Sequence, residues 1–167
     1  LMAYFGGVVP PPFTLADAYR SLGENLTAQL RVADAKPWFS RALDIIEAAL
    51  PGADRNGLDH INLYSQTMFW IDPPRVDALY RAVLARQEAL PGSSDARNWM
   101  TLWNLAKSSS LMLDQPSAVF RTDLSEAIGY QRRVVASGPG KASMNLDLAN
   151  LLAQRRETAA EAEGIYR

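Results

Sequence analysis

Residues 138–143 (GPGKAS) carry the residue types of a phosphate-binding loop. A nucleotide-binding loop of this kind needs a glycine five residues before its Gly-Lys pair and a Ser or Thr directly after the lysine, where the hydroxyl binds Mg²⁺. Val135 and Ala142 occupy these two positions, and no predicted strand precedes the loop. The segment is therefore interpreted as a turn between two helices rather than as a nucleotide site.

His60 is the one histidine of the chain, and it follows Asp59. Acid–base catalysis by this pair would need a third group to orient the ring and a pocket around it, and the sequence indicates neither. The interpretation of His60 as a packing or surface residue is favoured. The chain has no cysteine, which excludes disulfides and thiol catalysis, and one histidine cannot build a His-rich metal site. We expect no catalytic residue, no metal and no cofactor.

A cluster of aromatic and methionine residues falls in two predicted helices. Its members are Met68, Phe69, Trp70, Trp99, Met100 and Trp103. Such side chains fill helix interfaces readily, so each of them alone is best explained as core. Adjacent residues on a helix point about 100° apart, however, and two helices cannot bury all six. We expect some of them to reach an exposed face.

The composition and net charge of the chain limit which partners are expected. The 167 residues are 48% hydrophobic and 21% charged, with a net charge of −1. Nucleic-acid binding needs a basic surface, so no nucleic-acid partner is expected, and the balanced charge gives no reason to expect a membrane partner. No apolar run is long enough to span a bilayer. The chain begins at Leu1 rather than at a methionine and stops inside an apparent helix, so we expect a fragment of a longer protein. The apolar start has no basic residue of the kind that a secretory signal carries, and a cytoplasmic location is expected.

Apolar residues recur at three- and four-residue steps along most of the chain, which predicts helices throughout. The first helix is predicted with Thr14 as its N-cap and Leu30 on its apolar face, and the second with Pro37 in its first turn. The remaining helices are predicted at about 58–71, 75–90, 96–113, 123–136, 143–156 and from Ala159 onwards. No strand-like alternation bounded by hairpin turns occurs.

The helices repeat. Residues 41–52 (RALDIIEAALPG) match residues 81–92 (RAVLARQEALPG) without a gap, at an offset of 40 residues. A looser copy follows at 126–135, and Asn-Leu pairs recur at 25–26, 62–63, 104–105 and 150–151. A fixed period in this range is typical of stacked helix pairs, each of which must cover the apolar face of its neighbour.

The chain resembles the tetratricopeptide repeat family. Residues 102–106 (LWNLA) are similar to the signature of the first helix of that repeat, and Val76, Tyr80 and Val83 to the signature of the second. The period near 40, with Pro-Gly after the second helix, resembles the longer variety found in kinesin light chains and many bacterial proteins. The resemblance implies an all-α fold, an α-solenoid of about four antiparallel helix pairs in a right-handed superhelix. The pairs are expected at about 14–52, 56–92, 95–138 and 142–167, after an extended segment at 1–13.

First helices line the groove that binds peptides in this family. If Asn62 and Asn104 mark the same repeat position, the residues beside them face that groove. The implied groove residues are Ile61, Ser65, Met68, Phe69, Trp103, Lys107, Ser110 and Leu111, with Asn150 added in an alternative register. They predict an apolar trough with one basic residue. A structural role in hydrogen bonding is favoured for Asn62 and Asn104 themselves.

Three function classes follow from these patterns. The leading hypothesis is a protein–protein interaction module that holds a peptide or partner protein in its concave groove. The second is the sensor arm of a larger signalling ATPase or regulator, and the third, ranked well below, is an enzyme built on an α-solenoid. A homodimer through the open repeat end at Ile165 and Tyr166 is a further expectation. One hypothesis places the apolar, extended segment 1–12 in the groove, and another places it over the open edge of the solenoid.

Overall fold

The computed structural model describes residues 12–112, 124–137, 142–154 and 156–166, and this part of the chain is helical without any strand. The α-helices are α1 (Pro12–Ala28), α2 (Val32–Ala49), α3 (Arg55–Met68), α4 (Pro73–Glu88), α5 (Asp95–Met112), α6 (Leu124–Ser137), α7 (Ala142–Ala153) and α8 (Ala159–Tyr166). The prediction of an all-helical chain is confirmed. None of the described helices combines the length and the apolarity that a membrane span requires. The segment 1–11 lies outside the described residues.

Two predicted helix starts are corrected by the structure. Helix α1 already begins at Pro12, so Thr14 is a helical residue and not its N-cap. Helix α2 begins at Val32, which places Pro37 in the helix interior instead of its first turn. Asp34 lies in the first turn of α2 and binds Arg31 at 2.8 Å, and a carboxylate there favours the helix dipole. The helix therefore starts one turn before its proline.

The turn between α1 and α2 holds a leucine in the left-handed backbone region. Leu30 has φ of 61° and is 90% exposed, so it does not lie on the apolar face of α1 as the sequence predicts. The Arg31 amide donates to the Leu26 carbonyl at 2.9 Å and the Leu30 amide to the Thr27 carbonyl at 2.9 Å. These two bonds form a Schellman motif, whose left-handed position usually belongs to glycine because a β-carbon is strained there.

Replacing Leu30 by glycine should stabilise the protein. Glycine removes the strain of the left-handed conformation, which outweighs the entropy it adds to the unfolded chain, and we expect a gain of about 1 kcal/mol in urea unfolding. Leu30→Ala is the control, since it removes the same exposed side chain but keeps a β-carbon. An equal gain from Leu30→Ala would show that the exposed leucine, and not the backbone, is the unfavourable feature.

The described contacts divide the chain into two compact units, the first ending at Asp72 and the second beginning at Pro73. In the first unit α1 packs along α2, and α3 packs against both. Phe39, Leu43 and Ile46 of α2 are buried, as the helical period predicts. A β-carbon on Gly23 of α1 would lie 2.8 Å from Phe39 Cζ, so glycine at this position lets the two helices approach closely.

Gly23→Ala should destabilise the protein although alanine is the better helix former. The overlap with the buried Phe39 ring costs about 1–3 kcal/mol, against a gain of up to about 1 kcal/mol in helix propensity. Urea unfolding measures the difference. Phe39→Leu should be less harmful in the Gly23→Ala background than in the wild type, and additive effects of the two substitutions would contradict the close contact.

In the second unit α5 packs along α6, α4 along α5, α6 against α7 and α7 against α8. Leu152 of α7 is fully buried among Ala127 and Ile128 of α6 and Ala162 of α8. Polar bonds inside the unit accompany this apolar core. Thr101 donates to Gln87 at 2.8 Å between α5 and α4, and both side chains are buried.

Three consecutive residues of α6 together contact four other helices. Gln131 donates to the Met144 carbonyl of α7 at 2.9 Å, and Arg132 binds Glu161 of α8 at 2.6 Å. Arg133 binds both Asp95 of α5 and Glu88 of α4 at 2.6 Å. Because adjacent residues on a helix point about 100° apart, these three side chains point to three different sides of α6. The hydrogen bonds from Arg133 hold the pKa of Asp95 below its usual value.

Candidate functional site

Two of the predicted groove residues form a surface cluster with a residue of α7. Lys107 follows Trp103 by one helical turn on α5, and its Nζ lies 4.1 Å from the centroid of the indole ring. The Trp103 Nε1 donates to Asp147 Oδ2 of α7 at 3.2 Å. Trp103 and Asp147 are half-buried, whereas Lys107 is exposed. These three residues are called the α5–α7 surface.

The α5–α7 surface offers an aromatic ring, an ammonium and a carboxylate in one place. The cation above the ring and the hydrogen bond at the ring edge both fix the orientation of Trp103. A partly exposed tryptophan that is held in one rotamer loses little conformational entropy when a ligand covers it. This arrangement suits recognition of another molecule by contact.

The predicted groove residues of α3 are core residues in the structure. Ile61, Ser65 and Met68 are fully buried and Phe69 is 7% exposed, so these four side chains present almost no surface to a ligand. The Ser65 hydroxyl donates to the Ile61 carbonyl at 2.6 Å within the helix. Together with Leu58, these residues recur at three- and four-residue steps along one face of α3. That spacing indicates core positions, whereas their position beside Asn62 predicts groove positions.

The other predicted residues lie in three different settings. Asn150 is exposed, and its Oδ1 accepts a hydrogen bond from the Tyr166 hydroxyl of α8 at 2.6 Å. Asn62 and Asn104 are buried, at 1% and 6% exposure, which agrees with a structural role. Ser110 and Leu111 belong to α5, but their side chains lie outside the described residues.

A second surface, which the sequence analysis did not identify, connects α1 and α3 in the first unit. Its residues are Phe13, Asp17, Arg20 and Glu24 of α1, spaced so that they share one helix face, and His60 and Tyr64 of α3. The Phe13 ring stacks on His60 with centroids 5.9 Å apart, and the Arg20 guanidinium lies 5.2 Å from the centroid of Tyr64. We call this set the α1–α3 surface.

Ion pairs along α1 fix the positions of the charged side chains on the α1–α3 surface. Arg20 binds Asp17 at 2.6 Å and also binds Glu24. Partial burial lowers the pKa of the Arg20 guanidinium, but the hydrogen bond that Arg20 donates to Asp17 and the negative charge of Glu24 raise it, and the net effect is a raised pKa. Exposed His60 bonds through Nδ1 to the Asn56 carbonyl at 2.7 Å. Since a carbonyl only accepts, Nδ1 is the donor of this hydrogen bond.

A charged network in the second unit joins α4, α5 and α6. Arg81 donates from Nε to Asp77 Oδ2 at 2.8 Å and from its terminal nitrogens to both oxygens of Glu126. Ser108 donates to Asp77 Oδ1 at 2.6 Å, and the Tyr130 hydroxyl donates to Glu126 Oε1 at 3.2 Å. Both carboxylates are thus engaged by donors from neighbouring helices, which indicates that they hold the helices together.

Electrostatic effects on nearby phenols agree with a structural network. Burial, and to a smaller extent the negative charge of Asp77, raise the pKa of Tyr80. Burial also raises the pKa of Tyr130. The positive charge of Arg81 acts in the opposite direction but has the smaller effect. Both phenols therefore remain protonated at neutral pH. No group of His, Cys, Asp and Glu side chains in the described part of the chain is arranged to hold a metal ion.

Residues 138–141 of the glycine-rich segment lie outside the described residues, and α7 begins directly after them. No protein-family model matches this sequence, and no curated protein or solved structure is significantly similar to it.

The network around Arg81 should contribute to stability. Glu126→Gln removes the charge that pairs with the guanidinium and turns an amide donor towards it, so we expect a loss of about 1–2 kcal/mol in urea unfolding. Glu161→Gln is the matched control, because Glu161 pairs with Arg132 in an exposed position and should cost less than about 0.5 kcal/mol. Equal losses in the two variants would contradict a special role for the Arg81 network.

Proposed function

We propose that this chain is a protein–protein interaction module that binds a peptide or partner protein on the exposed faces of α5 and α7. The proposal is based on the α5–α7 surface. Tryptophan is a residue type on which protein interfaces commonly depend, and Trp103 stands on a helix face beside Lys107, with its ring held in place by Asp147. The bound segment would lie across the two helices.

The resemblance to tetratricopeptide repeats supports the same proposal. We propose that the helix pairs are repeats of this type, with α5 and α7 as the first helices of successive pairs. Helix α5 packs along its partner α6, and α7 packs along α8, while α6 contacts α7. In such repeats the first helices carry the binding groove, and Trp103, Lys107 and Asp147 belong to two of them.

The chemistry of the α5–α7 surface suggests how a peptide is held. An apolar ligand side chain can cover the part of the indole that remains exposed, and burial of such area favours binding. A ligand acceptor group can reach the exposed ammonium of Lys107, and a donor can reach Asp147. The ligand is therefore expected to combine an apolar anchor with polar main-chain or side-chain groups.

Peptide selection against the folded chain tests the proposal. We expect the wild type to select a recurrent motif, and Trp103→Ala with Lys107→Glu to weaken binding of that motif about thirtyfold or more, because a central tryptophan is removed and a charge reversed. Affinities are measured by fluorescence polarisation. Circular dichroism and the melting temperature check that each variant is folded.

Trp38→Ala with Arg41→Glu is the matched control. Arg41 lies 4.8 Å from the Trp38 ring on α2, so this double variant removes the same kind of cation–aromatic pair from a second helix. It should retain binding. Lys107→Glu alone changes an exposed residue and keeps the test informative if the double variant does not fold. Equal losses in the α5 and α2 variants would refute the proposed location, and the absence of any binder to folded wild type would refute the function.

A further inference from the structure

Helix α3 carries exposed apolar side chains on the side opposite its buried residues. Leu63 is 52% exposed, and Trp70, in the turn that directly follows the helix, is 69% exposed. The two residues are two helical turns apart, and the backbone of Phe69 between them is still helical, so both lie on one side of α3. Exposed Thr67 lies between them. We call Leu63, Thr67 and Trp70 the α3 stripe.

The start of α1 lies next to this stripe. The Phe13 ring stacks on His60 of α3 with centroids 5.9 Å apart, and a β-carbon on Gly57 would lie 3.5 Å from Phe13 Cζ. His60 precedes Leu63 by one helical turn on the same side of α3. The residues before Pro12 therefore join α1 at a point close to Leu63.

Residues 1–11 (LMAYFGGVVPP), which lie outside the described residues, match the stripe in chemistry and in length. The segment has no charged side chain, and most of its side chains are apolar or aromatic. Eleven extended residues span up to about 36 Å, whereas Leu63 and Trp70 are about 10 Å apart along the helix axis. The segment is thus long enough to follow the whole stripe, and Gly6 and Gly7 allow its backbone to turn along α3.

The other exposed apolar residues of the first unit are less accessible to this segment. Leu30 and Val32 are exposed at the far end of α1, about 25 Å from Pro12 along the helix axis. Reaching them would use most of the length of the segment and leave few residues to make contacts. The exposed sides of α1 itself carry the ion pairs of Arg20, and an apolar cover would remove water from these charges.

We infer that residues 1–11 bind along the α3 stripe, so that apolar side chains of the segment cover Leu63 and Trp70. Burial of apolar area drives this contact. The stripe is then a binding site for an uncharged apolar peptide segment, and its ligand is part of the same chain. The inference goes beyond the proposed function, because it concerns a different surface and a ligand in the chain itself.

Cysteine pairs test the contact in the full chain, which has no cysteine of its own. Each variant carries Thr67→Cys and one cysteine in the segment, and it is oxidised in dilute solution and analysed on a non-reducing gel. The segment substitutions, made one at a time, are Met2→Cys, Tyr4→Cys, Phe5→Cys, Val8→Cys and Val9→Cys.

Ser21→Cys is the matched control for Thr67→Cys. Both residues are exposed, and each lies about 10–14 Å along its helix from the place where the segment joins α1. For at least one segment position, the intramolecular disulfide with Thr67→Cys should form with a yield about tenfold higher than with Ser21→Cys, because docking raises the effective concentration of the two thiols.

Leu63→Arg tests whether the apolar contact holds the segment in place. It puts a charge where apolar side chains pack, so the yield with Thr67→Cys should fall to the level of the Ser21→Cys control. Val32→Arg makes the same change at a residue that is 50% exposed elsewhere in the first unit, and it should leave the yield unchanged. Circular dichroism checks that both variants are folded.

Three results would overturn the inference. The first is equal disulfide yields with Thr67→Cys and Ser21→Cys at every segment position, and the second is equal yields in the Leu63→Arg and Val32→Arg variants. The third is disulfide-linked dimers in place of the intramolecular product, which would show that the stripe takes the segment of a second copy. The proposed function is tested separately, since no variant changes Trp103, Lys107 or Asp147.

Discussion

Helix α6 contacts four other helices of the second unit through three adjacent side chains with different chemistry, and this sets how those helices are aligned. Gln131 is buried and bonds to the main chain of α7, whereas Arg132 and Arg133 pair with carboxylates of α8, α5 and α4. The apolar core around Leu152 gives the unit most of its cohesion, since burial of apolar area is the larger stabilising effect. The polar bonds fix how the helices are aligned, because each is satisfied in one arrangement.

Most of the helical architecture could be predicted from the sequence, since the apolar period depends on local spacing alone. The starts of α1 and α2 were less predictable. Pro37 was expected in a first turn because proline is best tolerated there, but Asp34 and the turn at Leu30 begin the helix earlier. Leu30 follows the apolar spacing of α1, and only the hydrogen bonds of the Schellman motif remove it from the helix.

The candidate site was predicted in part. Trp103 and Lys107 are one turn apart, so their proximity follows from sequence spacing, but Asp147 lies on another helix and no local pattern connects it to Trp103. On α3 the position of Asn62 predicts that Ile61, Ser65 and Met68 face the groove, whereas their own spacing indicates core positions, and the three side chains are buried. The α1–α3 surface depends on contacts between two helices, which a single sequence does not reveal.

The bond from Gln131 to the carbonyl of Met144 has a consequence for how this protein can vary in evolution. A main-chain carbonyl is present whatever the residue, so position 144 can change among apolar side chains and still accept the same hydrogen bond. Gln131 has no such freedom, because a shorter or apolar side chain would break the bond. Among homologues, position 131 should therefore be strongly conserved while position 144 drifts.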